Sequence, residues 1–270
     1  MQVYILIDNN LSDKPHVQSE HGLSLLIHTG GKSFLMDAGL TGQAFANAAH
    51  LGLDVHSLSA IILSHGHNDH CGGLLPFIQA NPSVAIYASD HILHRSYSST
   101  RHGHLHDISA SDELMEEVAR RIVDVDTSIP LAPNAMAVRC RDYGFIRPSG
   151  NKYLQADSHP YMADDEVALA LRGEEGLTVV SPCSHGGMLN IIRSCMEATG
   201  ENHVSRFIGG LHLLDEESEH DDIPLLCSQL LDMCPDIQLF TGHCTGSTSC
   251  KLLSDSLGPR FHLFHSGATI

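Results

Sequence analysis

Four metal-capable side chains fall within six positions at His65-Gly66-His67-Asn68-Asp69-His70. Imidazole nitrogens and carboxylate oxygens suit borderline divalent ions such as zinc, iron and manganese. Two histidines two residues apart can aim at one ion, and Asp69 with His70 lie one step further round and can serve a second. The apolar run Ala60-Ile61-Ile62-Leu63 stops just before the motif, so a buried strand empties into a loop of ligands. The pattern repeats twice. Leu177–Val180 leads into Ser181-Pro182-Cys183-Ser184-His185-Gly186-Gly187, and Ile237–Phe240 leads into Thr241-Gly242-His243-Cys244. His185 is the third ligand expected beside His65 and His67, and His243 the one expected beside Asp69 and His70.

Elements able to hold these loops recur along the chain. Strand-length apolar runs occur at Val3–Ile7, Leu23–Ile27, Ser33–Met36, Val84–Tyr87, Val167–Leu171 and Val204–Ile208 as well. Helical periodicity is expected near 40–51, 70–79, 112–122, 188–199, 222–233 and 247–257. Buried strands interleaved with helices predict a layered α/β (α+β) architecture with helices covering the sheets. Residues 91–165 break the rhythm: they hold Pro130, Pro133, Pro148 and Pro160 and the run His91, His94, His102, His104 and His106. The expectation is one domain over 1–270 with an insertion or lid at about 91–165, and the histidine cluster reads first as a polar, mobile surface.

Composition narrows the partners. Fifteen Lys and Arg stand against 32 Asp and Glu, a formal charge of −17, which would repel nucleic-acid backbones and anionic lipid. A small-molecule substrate is expected, with neither nucleic acid nor membrane as partner. Met1–Asp8 lacks a basic segment and its apolar stretch is short for export or spanning, so a cytoplasmic location is expected. The eight cysteines form no C-x-x-C pair and read as reduced thiols. Cys71, Cys183 and Cys244 each lie within two residues of an expected ligand; packing beneath loops and ligation are both open to them.

The motif at 65–70, with Leu35-Met36-Asp37-Ala38-Gly39, Cys183-Ser184-His185 and Gly242-His243-Cys244-Thr245-Gly246, resembles the metallo-β-lactamase-fold superfamily. Glu20-His21-Gly22-Leu23-Ser24 and Gly209-Gly210-Leu211-His212-Leu213 are similar to its branch of dihydropterin-forming, methanopterin-pathway synthases and metal-dependent hydrolases. The likeness covers most of the chain and is poor across 91–160. It implies an αββα four-layer sandwich with a binuclear site at one edge: His65, His67 and His185 on one ion, and Asp69, His70 and His243 on the other. It implies two divalent ions, zinc first, with iron or manganese also admitted by the ligands. Asp37 would be the carboxylate behind a ligand imidazole. The chain departs from the family where a bridging Asp usually ends the strand at Val204–Ile208: it reads Gly209-Gly210-Leu211-His212, and Asp215 lies further on. His212, Glu20 and His21 are therefore read as possible substrate or metal contacts.

Six ligands around two ions leave coordination positions open, the mark of a catalytic site. Such ions acidify a coordinated water and polarise a carbonyl or phosphoryl oxygen, and Asp69 becomes a base if a single ion is held. Three functions follow: a hydrolase of a small ester, amide, lactone or phosphoester; a dihydropterin synthase-like transferase displacing pyrophosphate with an arylamine; and a metal-binding sensor or redox protein without hydrolytic turnover.

Overall fold

The computed structural model describes residues 1–215, 220 and 222–270. In chain order the strands are β1 (Gln2–Ile7), β2 (Ser24–Thr29), β3 (Lys32–Met36), β4 (Ala60–Ile62), β5 (Ile86–Ala88), β6 (Tyr97–Ser99), β7 (His106–Asp107), β8 (Ile122–Asp124), β9 (Ser128–Ala132) and β10 (Ala135–Arg139). They continue as β11 (Leu154–Ala156), β12 (His159–Pro160), β13 (Val167–Gly173), β14 (Gly176–Val180), β15 (Val204–Ile208), β16 (Gln238–Thr241) and β17 (Phe261–Leu263). The helices are α1 (Gln43–His50), α2 (Asn68–Cys71), α3 (Leu75–Ala80), α4 (Asp112–Ala119), α5 (Met188–Thr199), α6 (Ile223–Met233) and α7 (Ser247–Leu257).

Two large sheets carry the fold, one ordered β1-β2-β3-β4-β5-β8 and the other β17-β16-β15-β14-β13-β10-β9. The alternation of side chains along each strand divides the apolar residues into three cores. Val3, Ile5, Leu25, Ile27, Phe34 and Met36 of the first sheet meet Ala137, Val167, Leu169, Leu171, Val180 and Ile208 of the second. On the outer face of the first sheet, Leu26, Leu35 and Ile61 pack on Ala48 of α1, Phe77 of α3 and Val118 of α4. On the outer face of the second, Ala168, Ala170, Val179 and Leu239 pack on Ile192 of α5, Leu230 of α6 and Leu253 of α7. The layers are helix, sheet, sheet, helix. Sheets buried on both faces explain why their strands read as unbroken apolar runs rather than alternating ones.

Topology puts the loops of interest on one edge. β3 and β4 run parallel, and β1 lies antiparallel to β2, itself antiparallel to β3, so the chain leaves β1, β3 and β4 at the same edge. In the second sheet β14, β15 and β16 are mutually parallel. β13 is antiparallel to β14 and so enters where β14 leaves.

Two expectations need correction. The periodic segment at 70–79 is not one helix: α2 and α3 are separated at Gly72-Gly73, where a Cβ on Gly73 would stand 1.9 Å from the Thr41 carbonyl oxygen. The close approach of those backbones requires glycine. The stretch 91–165 is not one insertion. α4 and β8 complete the first sheet layer and β9–β10 complete the second sheet, so only the four-stranded sheet β12-β11-β6-β7 and its connections stand apart. No helix among the described residues is long and apolar enough to cross a membrane.

Candidate metal centre

Each loop that carries candidate ligands starts where a buried strand ends. After β4 the chain passes Leu63 and Ser64 and delivers His65, then His67 in extended backbone at the N-terminal boundary of α2. Asp69 and His70 then sit on the single turn of α2. His185 follows β14 and His243 follows β16. The five imidazoles are buried, from 0% to 4% exposed, and Asp69 is at 14% side-chain exposure.

The ring nitrogens of these imidazoles are sorted by their neighbours. His65 Nδ1 meets Ser64 Oγ at 2.8 Å, His70 Nδ1 meets Asp37 Oδ2 at 2.7 Å, His185 Nδ1 meets Asn151 Oδ1 at 3.0 Å, and His243 Nδ1 meets Asn9 Oδ1 at 2.7 Å. The opposite nitrogens converge. His65 Nε2 lies 2.9 Å from His67 Nδ1, and His70 Nε2 lies 3.1 Å from His243 Nε2. Asp69 Oδ2 is 3.7 Å from His70 Nε2, 3.4 Å from His243 Nε2 and 3.2 Å from His21 Nε2. Donors of a tetrahedral ion with bonds of about 2.0–2.1 Å stand roughly 3.3 Å apart, close to these separations. Among the described residues His185 Nε2 and His212 Nε2 are buried with no hydrogen-bond partner; His67 Nε2 is too, although it is the Nδ1 of that ring that faces His65. An orphaned imidazole nitrogen in a dry site costs free energy unless something coordinates it. The residues fit divalent ions, with His65, His67 and His185 as one compact trio and His21, Asp69 and His243 as another.

Electrostatics prepare the same donors. Burial, together with neighbouring imidazoles, pushes His65, His185 and His243 well below the usual histidine range, and burial holds His67 at about 4. Neutral imidazole is the ligating form. His70 goes the other way: burial would lower it, but the Asp69 charge and the Asp37 hydrogen bond together outweigh burial and raise it. For Asp69 burial opposes ionisation, and the His70 charge with the His21 hydrogen bond outweighs it, holding the carboxyl well below the usual carboxylate range. A carboxylate so held is a ready ligand and a weak base.

Beneath the imidazoles lie buried carboxylates that tie down the loop backbones. Asp37, the carboxylate expected behind a ligand, accepts from Ser64 N at 2.7 Å and Ser64 Oγ at 2.6 Å besides meeting His70. Glu166 accepts from His185 N at 2.8 Å and Gly186 N at 2.7 Å. Asp8 accepts from His243 N at 2.6 Å. Burial raises Glu166 to about 7 and Asp8 to about 6. Glu166, Asp8, Asn9 and Asn151 escaped the sequence reading. The available signal was the one that marked Asp37, a carboxylate at the mouth of an apolar strand: Asp8 follows β1, and Glu166 precedes β13. Asp37, Ser184, His212 and Cys244 also hold positive φ, from 51° to 59°. Such strain in non-glycine residues persists only where the surroundings over-determine it.

The remaining expected contacts separate. His212 joins the cluster, 9% exposed, its ring centroid 4.3 Å from that of His185. His21 stands exposed at the rim and reaches Asp69. Glu20 does not join them: its carboxylate accepts from Leu40 N, Thr41 N and Thr41 Oγ1, bracing the loop before α1. Asp215 does not replace the missing bridging residue, since it accepts from Ser247 N and Thr248 N at 2.8 Å each at the start of α7. The centre opens into a cavity of about 410 Å³, walled on the small-sheet side by Ser99, Arg101, His102 and His106.

Residues 19–130 match the family model described as the metallo-β-lactamase superfamily. Over its whole length the chain is 27% identical to the 7,8-dihydropterin-6-methyl-4-(β-D-ribofuranosyl)-aminobenzene-5′-phosphate synthase of Methanocaldococcus jannaschii, covering 96% of that protein. A metal-dependent hydrolase of Shouchella clausii is 32% identical over 89 residues, 32% of this chain and 37% of its own. Among solved structures, Tm1679, a metal-dependent hydrolase of the β-lactamase superfamily, superposes with a TM-score of 0.78 at 24% identity, covering 100% of this chain and 98% of its own.

Proposed function

We propose that this chain, whose residues 19–130 match the metallo-β-lactamase superfamily model, is a metal-dependent hydrolase acting on a small molecule at a two-ion centre. The observation that carries the reading is the convergence of buried imidazole nitrogens and the Asp69 carboxylate on the wall of an open cavity. His65, His67 and His185 would hold one ion; Asp69, His70 and His243 the other, with His21 within reach of it. Divalent ions there, zinc in the first instance, would supply an acidified water and polarise an ester, amide, lactone or phosphoester oxygen.

The chain's own residues supply placement. Asp37 Oδ2 accepts from His70 Nδ1 and fixes that ring's tautomer, leaving Nε2 as the donor atom. Asn151 and Asn9 do the same for His185 and His243. Arg101, His102 and His106 face the centre across the cavity and would contact the part of the substrate remote from the reacting bond. Asp69 takes the role of base only where a single ion is held. A cavity of this size admits a metabolite rather than a folded polymer, and the net charge of −17 disfavours nucleic acid.

The full-length similarity to the methanopterin-pathway synthase keeps a transferase reading in play, in which an arylamine displaces pyrophosphate from a dihydropterin diphosphate. One experiment decides between them. Protein loaded with zinc, iron or manganese is assayed on a panel of esters, lactones, amides and phosphodiesters, and separately on dihydropterin diphosphate with and without an aminobenzoate. Chelator-sensitive hydrolysis supports the proposal. Pyrophosphate release that requires the arylamine replaces it with the transferase, and no turnover of any substrate by loaded protein contradicts both.

A further inference from the structure

The strand end that would carry a bridging carboxylate has no room for one. A Cβ on Gly209 would lie 1.9 Å from the Ser181 carbonyl oxygen. On Gly210 it would lie 2.3 Å from the His243 carbonyl oxygen and 2.5 Å from Cys244 Sγ. The neighbouring loops fill that space with backbone carbonyls and with the Cys244 sulfur, and a second sulfur, that of Cys183, lies beside it. Cys183 Sγ stands 3.3 Å from Cys244 Sγ and 3.6 Å from His212 Nδ1, and the His212 N–H donates to Cys244 Sγ at 3.2 Å. The donor atoms of His65, His70 and Cys183 all lie within 4.8 Å of one another. His65 belongs to the first trio of imidazoles and His70 to the second set, so the Cys183 sulfur lies near one donor of each. Cys183 is 3% exposed and lines the cavity.

We propose that Cys183 is a metal ligand, its sulfur shared between the two ions in the place a bridging carboxylate would occupy. This rests on the two-ion reading given above. On coordination the S–H bond gives its proton to solvent and the sulfur binds as thiolate, bringing one negative charge where the family's carboxylate would bring one. Cys244 remains a thiol beside it, positioned by His212 N–H, and acts by hydrogen bonding to the ligand sulfur rather than by binding an ion. A soft ligand in this place would favour zinc over manganese, whose preference is for oxygen.

Cobalt(II) reports thiolate ligation without any substrate. The reduced full-length protein, stripped with chelator and reloaded with cobalt(II), should show a near-ultraviolet thiolate-to-cobalt charge-transfer band. Cys183→Ser should lose the band and bind the second ion about 10- to 100-fold more weakly in a chelator competition. Cys183→Asp should bind two ions with no band, and Cys244→Ser should keep the band. Wild-type protein that binds cobalt without the band overturns the assignment, whether or not any variant folds. A band undiminished in Cys183→Ser also overturns it. A band lost equally in Cys244→Ser moves the sulfur site to the Cys183, His212 and Cys244 trio and overturns the bridging role. Protein that takes up no cobalt removes the two-ion centre itself.

Discussion

In the loops that carry the proposed ligands the backbone is tied to buried carboxylates, Asp37 to Ser64, Glu166 to His185 and Gly186, and Asp8 to His243. Across the cavity the small sheet is held by groups that water reaches, with Arg95 on Asp164 and the Asp157 carboxylate on Ser96. One region hangs its backbone on buried acceptors; the other is held by pairs at the surface. Metal ligation needs the first, because donors must hold their geometry. Substrate contact tolerates the second. The regions meet at Asp165, which accepts from Tyr97 Oη at 2.5 Å and Tyr161 Oη at 2.6 Å and so hangs the small sheet on the ligand layer.

The contrast breaks most severely at Asp37. Asp37→Ala leaves Ser64 N, Ser64 Oγ and His70 Nδ1 without their buried acceptor. We expect a loss of about 3–5 kcal/mol in denaturant unfolding and metal affinity about 10- to 100-fold lower by chelator competition. Stability and metal affinity both near wild type would mean that the ligand layer is not held by its carboxylates. Tyr161→Phe tests the junction. It removes one hydrogen bond to a buried carboxylate, so unfolding should cost about 1.5–3 kcal/mol, with metal content unchanged; loss of metal would show that the two regions are one unit.

Glu166 sharpens the comparison through pH. Burial raises it from 4.5 to about 7, so the folded state favours its neutral form. The stability it contributes is full below pH 4.5, is lost as pH rises through about 7, and changes little above that. Glu166→Gln cannot ionise. The difference in Tm between variant and metal-free wild type should therefore climb from pH 4.5 to 7, on top of a constant offset from the altered acceptor. A flat difference across that window would show that Glu166 does not titrate there. The smallest effect belongs to the small sheet: Arg95→Ala breaks a partly exposed pair and should cost no more than about 1 kcal/mol, with metal content intact.

How much was legible follows from the same division. Strands buried on both faces are continuous apolar runs, so β1, β4, β14, β15 and β16 stood out in the sequence, and the His and Asp residues just beyond them stood out in turn. β9 and β10 did not: they sit among prolines, and their place in the second sheet depends on the pairing of β10 with β13, a contact distant in sequence. Asp37 was visible because it follows β3 within a recognisable segment. Glu166 and Asp8 do the same work, but their partners are backbone N–H groups that no motif encodes. Glu20, read as a possible site contact, is spent on Leu40 and Thr41, a role set by a loop crossing that residue types alone do not reveal.

The central claim is that two sets of donors on this edge hold two ions. Elemental analysis of purified protein, repeated on His65→Ala and Asp69→Ala, tests it most directly. The account predicts two equivalents per chain in the wild type, falling to one or none in each variant. Metal content unchanged in both variants would contradict it.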